Sequence, residues 1–196
     1  MVSQNEKSST RLPPGQRETK ALLRWGVDHP GITRNIPKRD LNTWRLVIDG
    51  LVENPLTLTW KDFMKLPFTE ATIDFHCVEG WSVRNCLWGG VQFRILADLA
   101  KPKSEGKFVF FESEDGYTTS LTLEELDKAM LAYKLSGKDI DDELGGPMRL
   151  IVPDKYAYKS PMWVRRITFR DKKDLGYWER KGYSDTADPW KNDRYR

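Results

Sequence analysis

The sequence predicts an α+β domain built on mixed or antiparallel β-sheet, with short helices between the strands. Many short segments alternate apolar and polar residues, as half-buried strands do, and the segments with helical spacing between them are brief. The hydrophobic content of 39%, with eight Trp, seven Tyr and eight Phe, is unlike that of disordered chains. A chain of 196 residues is long enough to bury such a core.

The chain is predicted to consist of a short arm followed by one domain. Residues 1–21 are polar and contain Pro13-Pro14-Gly15, which favours a flexible N-terminal arm. Residues 22–196 are predicted to form the domain. Its last part, about 171–196, is rich in Trp, Tyr and charge, and we expect it to lie over the domain as an aromatic tail.

The first half of the domain alternates strands with short helices. We expect strands over 44–50, 56–60 and 69–78, and helices over 61–66 and 93–100. Proline ends both helices, because Pro67 follows the first directly and Pro102 follows the second by two residues.

The second half of the domain is predicted to be richer in strands. Glu114-Asp115-Gly116 between two apolar runs is a hairpin signal. Thr122 and Glu125 form a capping-box pattern, which predicts a helix over 123–130. We expect strands over 107–112, 117–121, 131–135, 148–152 and 164–170.

Composition excludes several classes of protein. No stretch approaches the roughly 18 apolar residues of a membrane span, and the first twenty residues lack the apolar centre of a secretory signal, so we expect a cytoplasmic protein with no transmembrane segment. Two cysteines cannot form a disulfide framework. A net charge of +3, with basic flanks around an acidic centre and no binding motif, predicts no nucleic-acid partner.

Cys77 stands at the end of a predicted strand, just before the turn residue Gly80, where its sulfur could face a cleft. The simplest interpretation is a buried structural cysteine. A thiol hydrolase needs an imidazole within hydrogen-bond reach of the sulfur. His76 is adjacent and would point to the opposite face of an extended segment, and His29 lies near the arm, so this activity is disfavoured.

Two further kinds of cysteine chemistry are also disfavoured. Zinc needs four ligands in close pairs, which two Cys and two His at these spacings do not supply. Cys77 and Cys86 do not form the C-x-x-C pattern of a thiol–disulfide switch. A single thiolate would suffice for a metal that brings most of its own ligands in an organic cofactor. Segments suited to holding such a cofactor are Arg34-Asn35, Gly145–Arg149 and Lys155–Pro161.

Several of these segments, taken in order over about residues 34–190, resemble the sulfite-oxidase-type molybdopterin-binding oxidoreductase family, particularly its small bacterial and archaeal members. Within the family, these segments resemble the catalytic subunit of the molybdenum methionine sulfoxide reductase. The segments are Cys-Val-Glu-Gly-Trp-Ser at 77–82, Trp-Gly-Gly-Val at 88–91, Asp-Gly-Tyr-Thr-Thr-Ser-Leu at 115–121, Gly-Gly-Pro-Met-Arg-Leu-Ile-Val-Pro at 145–153, Lys-Tyr-Ala-Tyr-Lys-Ser at 155–160 and Trp-Val at 163–164.

The resemblance implies the α+β fold of that family, one molybdenum–molybdopterin cofactor and Cys77 as the ligand to molybdenum. It also implies that His76 and Glu79 lie close to the metal. The residues expected to hold the pterin and its phosphate are Arg34, Asn35, Arg149, Lys159 and Ser160.

Two positions depart from the family's oxidases. Ile36 stands where they have histidine, and Glu79-Gly80-Trp81 replaces an arginine-rich stretch, which disfavours sulfite oxidation. The resemblance implies oxygen-atom transfer, as reductase of a sulfoxide-like or oxidase of a sulfite-like small molecule, with a separate electron donor or acceptor protein. Glu79 is either a proton relay or a hydrogen-bond partner of the turn.

Two alternatives on the same fold stay open. The chain could carry molybdopterin without turning over a substrate. It could also be an interaction module whose tail, residues 177–190, docks a partner. We expect Tyr177, Trp178, Tyr183 and Trp190 to pack on the domain instead.

Overall fold

Two mixed β-sheets form the framework of the computed structural model, which describes residues 11–29, 32 and 36–196. The strands and helices are β1 (Arg17–Glu18), β2 (Arg45–Gly50), β3 (Leu56–Thr59), α1 (Trp60–Phe63), β4 (Thr69–His76), β5 (Trp81–Gln92), α2 (Phe93–Ala100), β6 (Phe108–Ser113), β7 (Thr118–Thr122), β8 (Met130–Leu135), β9 (Lys138–Asp139), β10 (Arg149–Ile151) and β11 (Val164–Arg170). One-turn 3₁₀ helices lie at Glu124–Leu126, Asp142–Leu144, Ala157–Lys159 and Glu179–Lys181.

The long strand β5 organises the sheet that carries the candidate site. Antiparallel β4 pairs along one edge of β5, while parallel β1 and antiparallel β8 pair at opposite ends of the strand. Strands β9 and β10 extend this sheet from β8. The other sheet runs in the order β3-β2-β11-β6-β7 and is antiparallel except for the parallel pair β2–β11. The predicted mixed-sheet α+β class is confirmed.

The main core consists of apolar side chains from both sheets and from α2. Leu46 and Ile48 alternate with less buried residues along β2, and Phe93 and Leu96 form the buried face of α2. The helix ends where Lys101 takes a left-handed conformation with φ 53°, followed by Pro102, which cannot continue a helix. The helix predicted over 93–100 is therefore confirmed.

Two regions differ from the sequence-based prediction. Sequence analysis did not assign β5 as a strand, because a β-bulge beside Gly89 and Gly90 and the left-handed Asn85 (φ 55°) interrupt its alternation. The helix predicted over 123–130 was wrong. The capping box of Thr122 and Glu125 does form, but its helix is the single turn Glu124–Leu126, because Met130 already pairs with β5 and β10.

The described part of the predicted N-terminal arm is attached to the first sheet. Arg17 N–H donates to Gly80 O (2.9 Å), and Thr19 N–H donates to Ser82 O (2.8 Å). Strand β8 pairs only with Trp88–Gln92 and leaves the edge of β5 near Trp81 unpaired. Strand β1 covers that edge. Residues 17–19 of the predicted arm therefore form backbone hydrogen bonds to the turn and to β5, and residues 1–10 lie outside the described residues.

The longest helix in the described part of the chain is α2, with eight residues, and none of its helices is long and apolar enough to cross a membrane.

Candidate functional site

A tight turn between β4 and β5 holds Cys77. The backbone closes on itself: Cys77 N–H donates to Trp81 O (2.8 Å), and Gly80 N–H donates to Cys77 O (3.0 Å). Gly80 has φ +93°, and a Cβ there would lie 3.1 Å from Gly15 O, so a side chain at this position would be strained. The sulfur is thus presented from a rigid strand end, as the sequence predicted.

Alternation along β4 sends neighbouring side chains to different cavities. Phe75 and Cys77 line a cavity of about 140 Å³. Asp74 and His76 instead line a separate cleft of about 680 Å³. His76 thus faces away from the Cys77 cavity, and its closeness to the metal stays a prediction. His76 is bonded through Nδ1 to Ser82 Oγ (2.8 Å) on the other face of the strand.

Glu79 joins the cysteine to a histidine from the N-terminal segment. Glu79 Oε2 lies 3.8 Å from Cys77 Sγ and accepts a hydrogen bond from Trp81 Nε1 (3.4 Å). Its other oxygen, Oε1, lies 2.7 Å from His29 Nε2. The His29 ring stacks on Trp25, with ring centroids 4.3 Å apart. Glu79 is therefore held on both oxygens beside the sulfur.

The Cys77 thiol is protonated at neutral pH in this environment. Burial raises the pKa of Cys77 to about 12, and the nearby Glu79 carboxylate adds to the rise. His29 Nε2 lies 2.7 Å from Glu79 Oε1, and His76 Nδ1 is bonded to Ser82 on the other face of β4. A thiol hydrolase needs an activated thiolate, so the geometry also disfavours that activity.

Arg149 supplies a buried positive charge to the wall of the Cys77 cavity. Its Nη1 donates to Leu144 O (2.8 Å) and its Nη2 to Ser160 O (3.2 Å), and burial lowers its pKa to about 10. The guanidinium lies over the rings of Phe75 and Trp88. Its Nε has no hydrogen-bond partner among the described residues. A buried donor without a partner is rare in proteins, so Arg149 fits a ligand that offers an acceptor.

The other residues predicted to hold the cofactor are placed differently. Ser160 lines the cavity, and its Oγ accepts a hydrogen bond from Val152 N–H (2.9 Å). Lys159 lies behind the wall: its Nζ pairs with Glu179 and with Asp185 (3.2 Å), and its side chain is fully buried. In this structure Lys159 therefore does not line the cavity. Arg34 and Asn35 lie outside the described residues.

Sequence analysis missed several residues of the cavity wall. The sequence analysis considered His29 only as the partner of a nucleophilic cysteine, and it did not identify Trp25 as a site residue. Trp178 and Tyr183 come from the C-terminal tail, which the sequence did predict to pack on the domain. Gln16 bonds the Cys77 carbonyl through Nε2 (3.1 Å). The only signal for the histidine was its rarity, because the chain has two.

The donor set fits a metal that arrives with its own organic ligands. Within residues 11–29, 32 and 36–196, no cluster of three or more His, Cys, Asp or Glu side chains could hold a bare ion. One thiol, the unpartnered Arg149 Nε and a wall of aromatic rings meet at the cavity. Gly145 also allows close packing there, since a Cβ would lie 2.7 Å from Met162. These groups suit one metal–sulfur bond and a polar organic ligand.

Comparison with known proteins agrees with this donor set. Residues 33–178 match the family described as "Oxidoreductase molybdopterin binding domain". The "Uncharacterized oxidoreductase YuiH" of Bacillus subtilis is 36% identical over 95% of this chain and 93% of its own length. The "Protein-methionine-sulfoxide reductase catalytic subunit MsrP" of Campylobacter jejuni is 34% identical over 69% of this chain and 52% of its own length.

A curated protein of Azospira oryzae, "Putative protein-methionine-sulfoxide reductase subunit YedZ1", is 30% identical over 74% of this chain and 56% of its own length. The chain therefore spans about half of each methionine-sulfoxide-reductase relative. Among solved structures, the sulfane dehydrogenase SoxCD of Paracoccus pantotrophus superposes with a TM-score of 0.68 at 28% identity, covering 76% of this chain and 43% of that one.

Proposed function

Because this chain belongs to the oxidoreductase molybdopterin-binding family, we propose that it uses Cys77 to bind molybdenum and reduces a small, neutral sulfoxide. Family membership confirms the predictions of a sulfite-oxidase-type oxidoreductase and of molybdenum–molybdopterin as its cofactor. The observation that carries the proposal is the Cys77 sulfur on the wall of a cavity whose described lining includes two carboxylates and one guanidinium group.

We propose direct roles for three residues in holding the cofactor. Cys77 sulfur binds the metal after losing its proton, Arg149 Nε donates to a pterin acceptor, and Ser160 lies at the wall beside it. Arg34 and Asn35 remain predicted contacts, and Lys159 acts indirectly by fixing the loop that carries Ser160. When bound, the cofactor supplies two-electron oxygen-atom transfer.

The charges of the cavity favour a neutral sulfoxide over anionic sulfite. Among the described residues, Glu79 and Asp115 line it together with one guanidinium, that of Arg149, whose terminal nitrogens already donate to backbone carbonyls. An anion entering this cavity would lose its water and meet two carboxylates, which is unfavourable. Two of the relatives carry methionine sulfoxide reduction in their names, which supports the same substrate class.

Sulfoxide reduction consumes two electrons and two protons and releases a thioether and water. We propose that a separate donor protein supplies the electrons. Glu79 is the proposed proton carrier, because Oε2 faces the Cys77 sulfur while Oε1 stays bonded to His29. The aromatic rings of Trp25, Trp163 and Trp178 line the cavity and keep bulk water away from it.

The Glu79→Gln variant tests the proton carrier. Glutamine keeps the size of the side chain but cannot transfer a proton, so turnover of a sulfoxide should fall by about 10²-fold or more. Molybdenum content should stay normal, and Glu53→Gln, an exposed change outside the cavity, should leave turnover unaffected. Full turnover by Glu79→Gln would reduce Glu79 to a hydrogen-bond partner of the turn.

Metal and pterin analysis tests the proposed function as a whole. Protein made in a host that synthesises molybdopterin should contain about one molybdenum per chain, with pterin fluorescence after denaturation and oxidation. With a reduced dye as electron donor, it should reduce dimethyl sulfoxide or methionine sulfoxide. Bound cofactor without any turnover of sulfoxides or sulfite would favour the carrier alternative. Absence of both metal and pterin, where a relative loads normally, would contradict the proposal.

The interaction-module alternative requires a tail that is available to dock a partner, whereas residues of this tail pack on the domain. Trp178 and Tyr183 line the Cys77 cavity, and the Tyr177 ring packs against that of Tyr117 at an angle of 45°. Deleting residues 177–196 would therefore remove part of the cavity wall, so loss of partner binding after that deletion would not distinguish the two functions. We also propose a cytoplasmic location, which cell fractionation with an antibody to the chain would test.

A further inference from the structure

The C-terminal tail packs on the domain by one side and turns positive charge outward on the other. The structure describes residues 177–196 throughout. Within them, the exposed charged side chains are those of Arg180, Lys181, Lys191 and Arg196. Lys191 pairs with Asp188, with Nζ 3.4 Å from Oδ2. The other three are cations on the surface of the tail.

The remaining acidic side chains of the tail cancel little of this surface charge. Glu179 is buried, Asp185 is half-buried, and both pair with the buried Lys159. Asp193 is also half-buried and accepts a hydrogen bond from Ser184 Oγ (2.5 Å). These carboxylates serve to attach the tail to the domain, so the surface keeps its positive charge.

Backbone pairing brings two of the exposed cations close to an exposed ring. Tyr195 forms an antiparallel bridge with Tyr183, and Arg196 N–H donates to Gly182 O (3.0 Å). Lys181 directly precedes Gly182, so Lys181 and Arg196 come from adjacent backbone segments. The side chain of Tyr195 is 63% exposed. An aromatic ring and two cations therefore share one surface.

Arg180 and Leu175 extend this surface. Leu175 is 38% exposed, and its carbonyl accepts from Arg180 Nη1. Lys181 Nζ lies 5.0 Å from the centre of the Tyr177 ring. The tail patch is defined as Leu175, Tyr177, Arg180, Lys181, Tyr195 and Arg196. Exposed aromatic and apolar groups beside arginine are typical of surfaces that bind other proteins.

The tail patch lies one ring away from the Cys77 cavity. Tyr183 lines the cavity, and its ring centroid is 5.0 Å from that of Tyr195. Trp178 also lines the cavity, and its ring centroid is 5.1 Å from that of Tyr177. Two rings of the patch thus each contact a ring of the cavity wall. Electron transfer slows steeply with distance, so this patch offers electrons a short path from the surface to the cavity.

We propose that the tail patch docks the protein that donates electrons, and that this donor carries carboxylates around its redox group. The inference rests on the proposed sulfoxide reduction. In that reaction the donor loses two electrons, two protons come from solvent, and the sulfoxide becomes a thioether and water. Cations on the patch attract an acidic donor and hold it over the rings of Tyr177 and Tyr195, whereas they repel a basic one.

Amide NMR of the full chain tests the docking without any turnover. The probe is flavodoxin, a small acidic flavoprotein, and reduced cytochrome c, a small basic haem protein, is its counterpart of opposite charge. At low ionic strength, flavodoxin should shift the amide signals of residues 180–183 and 195–196, and cytochrome c should leave them in place. Unchanged signals with flavodoxin, or equal shifts with cytochrome c, would overturn the proposal.

Two double variants locate the charge requirement. Lys181→Glu with Arg196→Glu reverses two charges of the patch, and Lys103→Glu with Lys138→Glu makes the same change at exposed positions elsewhere. The patch variant should bind flavodoxin about tenfold more weakly at low salt, while the control variant should bind it as the parent chain does. Equal binding by the two double variants would also overturn the proposal.

Turnover by protein loaded with cofactor separates docking from the reaction itself. Reduced methyl viologen is a small cation that does not depend on an acidic-protein surface. The ratio of flavodoxin-driven to viologen-driven reduction of methionine sulfoxide should fall about tenfold in the patch variant and stay at the parent value in the control variant. A parent chain without viologen-driven turnover would contradict the proposed function, whereas the NMR result would still decide whether an acidic protein docks on the patch.

Discussion

Replacing Cys77 with serine should remove molybdenum from the protein. The sulfur is the one thiol among the described residues of the cavity wall, and a hydroxyl of high pKa is a poor substitute for a thiolate. We expect molybdenum to fall from about one atom per chain to near zero in protein from a molybdopterin-producing host. Elemental analysis of the purified variant measures this directly.

Cys86 provides the matched control for this substitution. It is also buried, burial raises its pKa to about 11, and its Sγ–H donates to Val83 O (3.6 Å). It does not line the Cys77 cavity, so Cys86→Ser should keep its molybdenum. Thermal melting of both variants without cofactor shows whether either has lost its fold. Full metal in both folded variants would show that Cys77 is not the ligand.

Local sequence was sufficient to predict how Cys77 is presented. A strand that ends at a glycine-containing turn fixes the sulfur within a few residues, and the structure has β4, the turn and Gly80 in those places. The same argument predicts that His76 points away from Cys77, because side chains alternate along a strand. The family resemblance implies in addition that His76 is close to the metal, which stays a prediction.

The contacts that the sequence could not predict join residues far apart in the chain. His29 meets Glu79 across 50 positions, and Lys159 meets Glu179 across 20 and Asp185 across 26. No local periodicity encodes such pairs, since they depend on how the two ends of the chain lie over the sheets. The same holds for β5, whose bulge and left-handed residue disturb the alternation that reveals a strand.

The buried ion pairs of Lys159 also lead to a large expected effect on stability. The side chains of Lys159 and Glu179 are both fully buried, and Asp185 is 35% exposed. Lys159 Nζ also donates to Ser120 O (3.2 Å), and Glu179 Oε1 accepts from Thr119 Oγ1 (3.0 Å). These bonds fasten the C-terminal tail to the loop before β11, and the tail in turn carries Trp178 and Tyr183 into the cavity wall.

Replacing Lys159 with methionine should lower the free energy of unfolding by about 3–5 kcal/mol, because it leaves the Glu179 carboxylate buried without its cation. The double variant Lys159→Met with Glu179→Gln removes both charges and should recover part of that loss. Lys134→Met breaks an ion pair with Asp139 that is much more exposed, at 33% and 68%, and should cost no more than about 1 kcal/mol.

Urea unfolding at neutral pH, on proteins with matched cofactor content, measures all three variants, since bound cofactor would itself add stability. Limited proteolysis adds a local measurement: the tail of Lys159→Met should be cut faster than that of the parent chain, because its attachment to the 155–160 loop is lost. If Lys159→Met and Lys134→Met cost the same, the buried pair does not secure the tail. The wall of the cavity would then depend on the packing of Trp178 and Tyr183 alone.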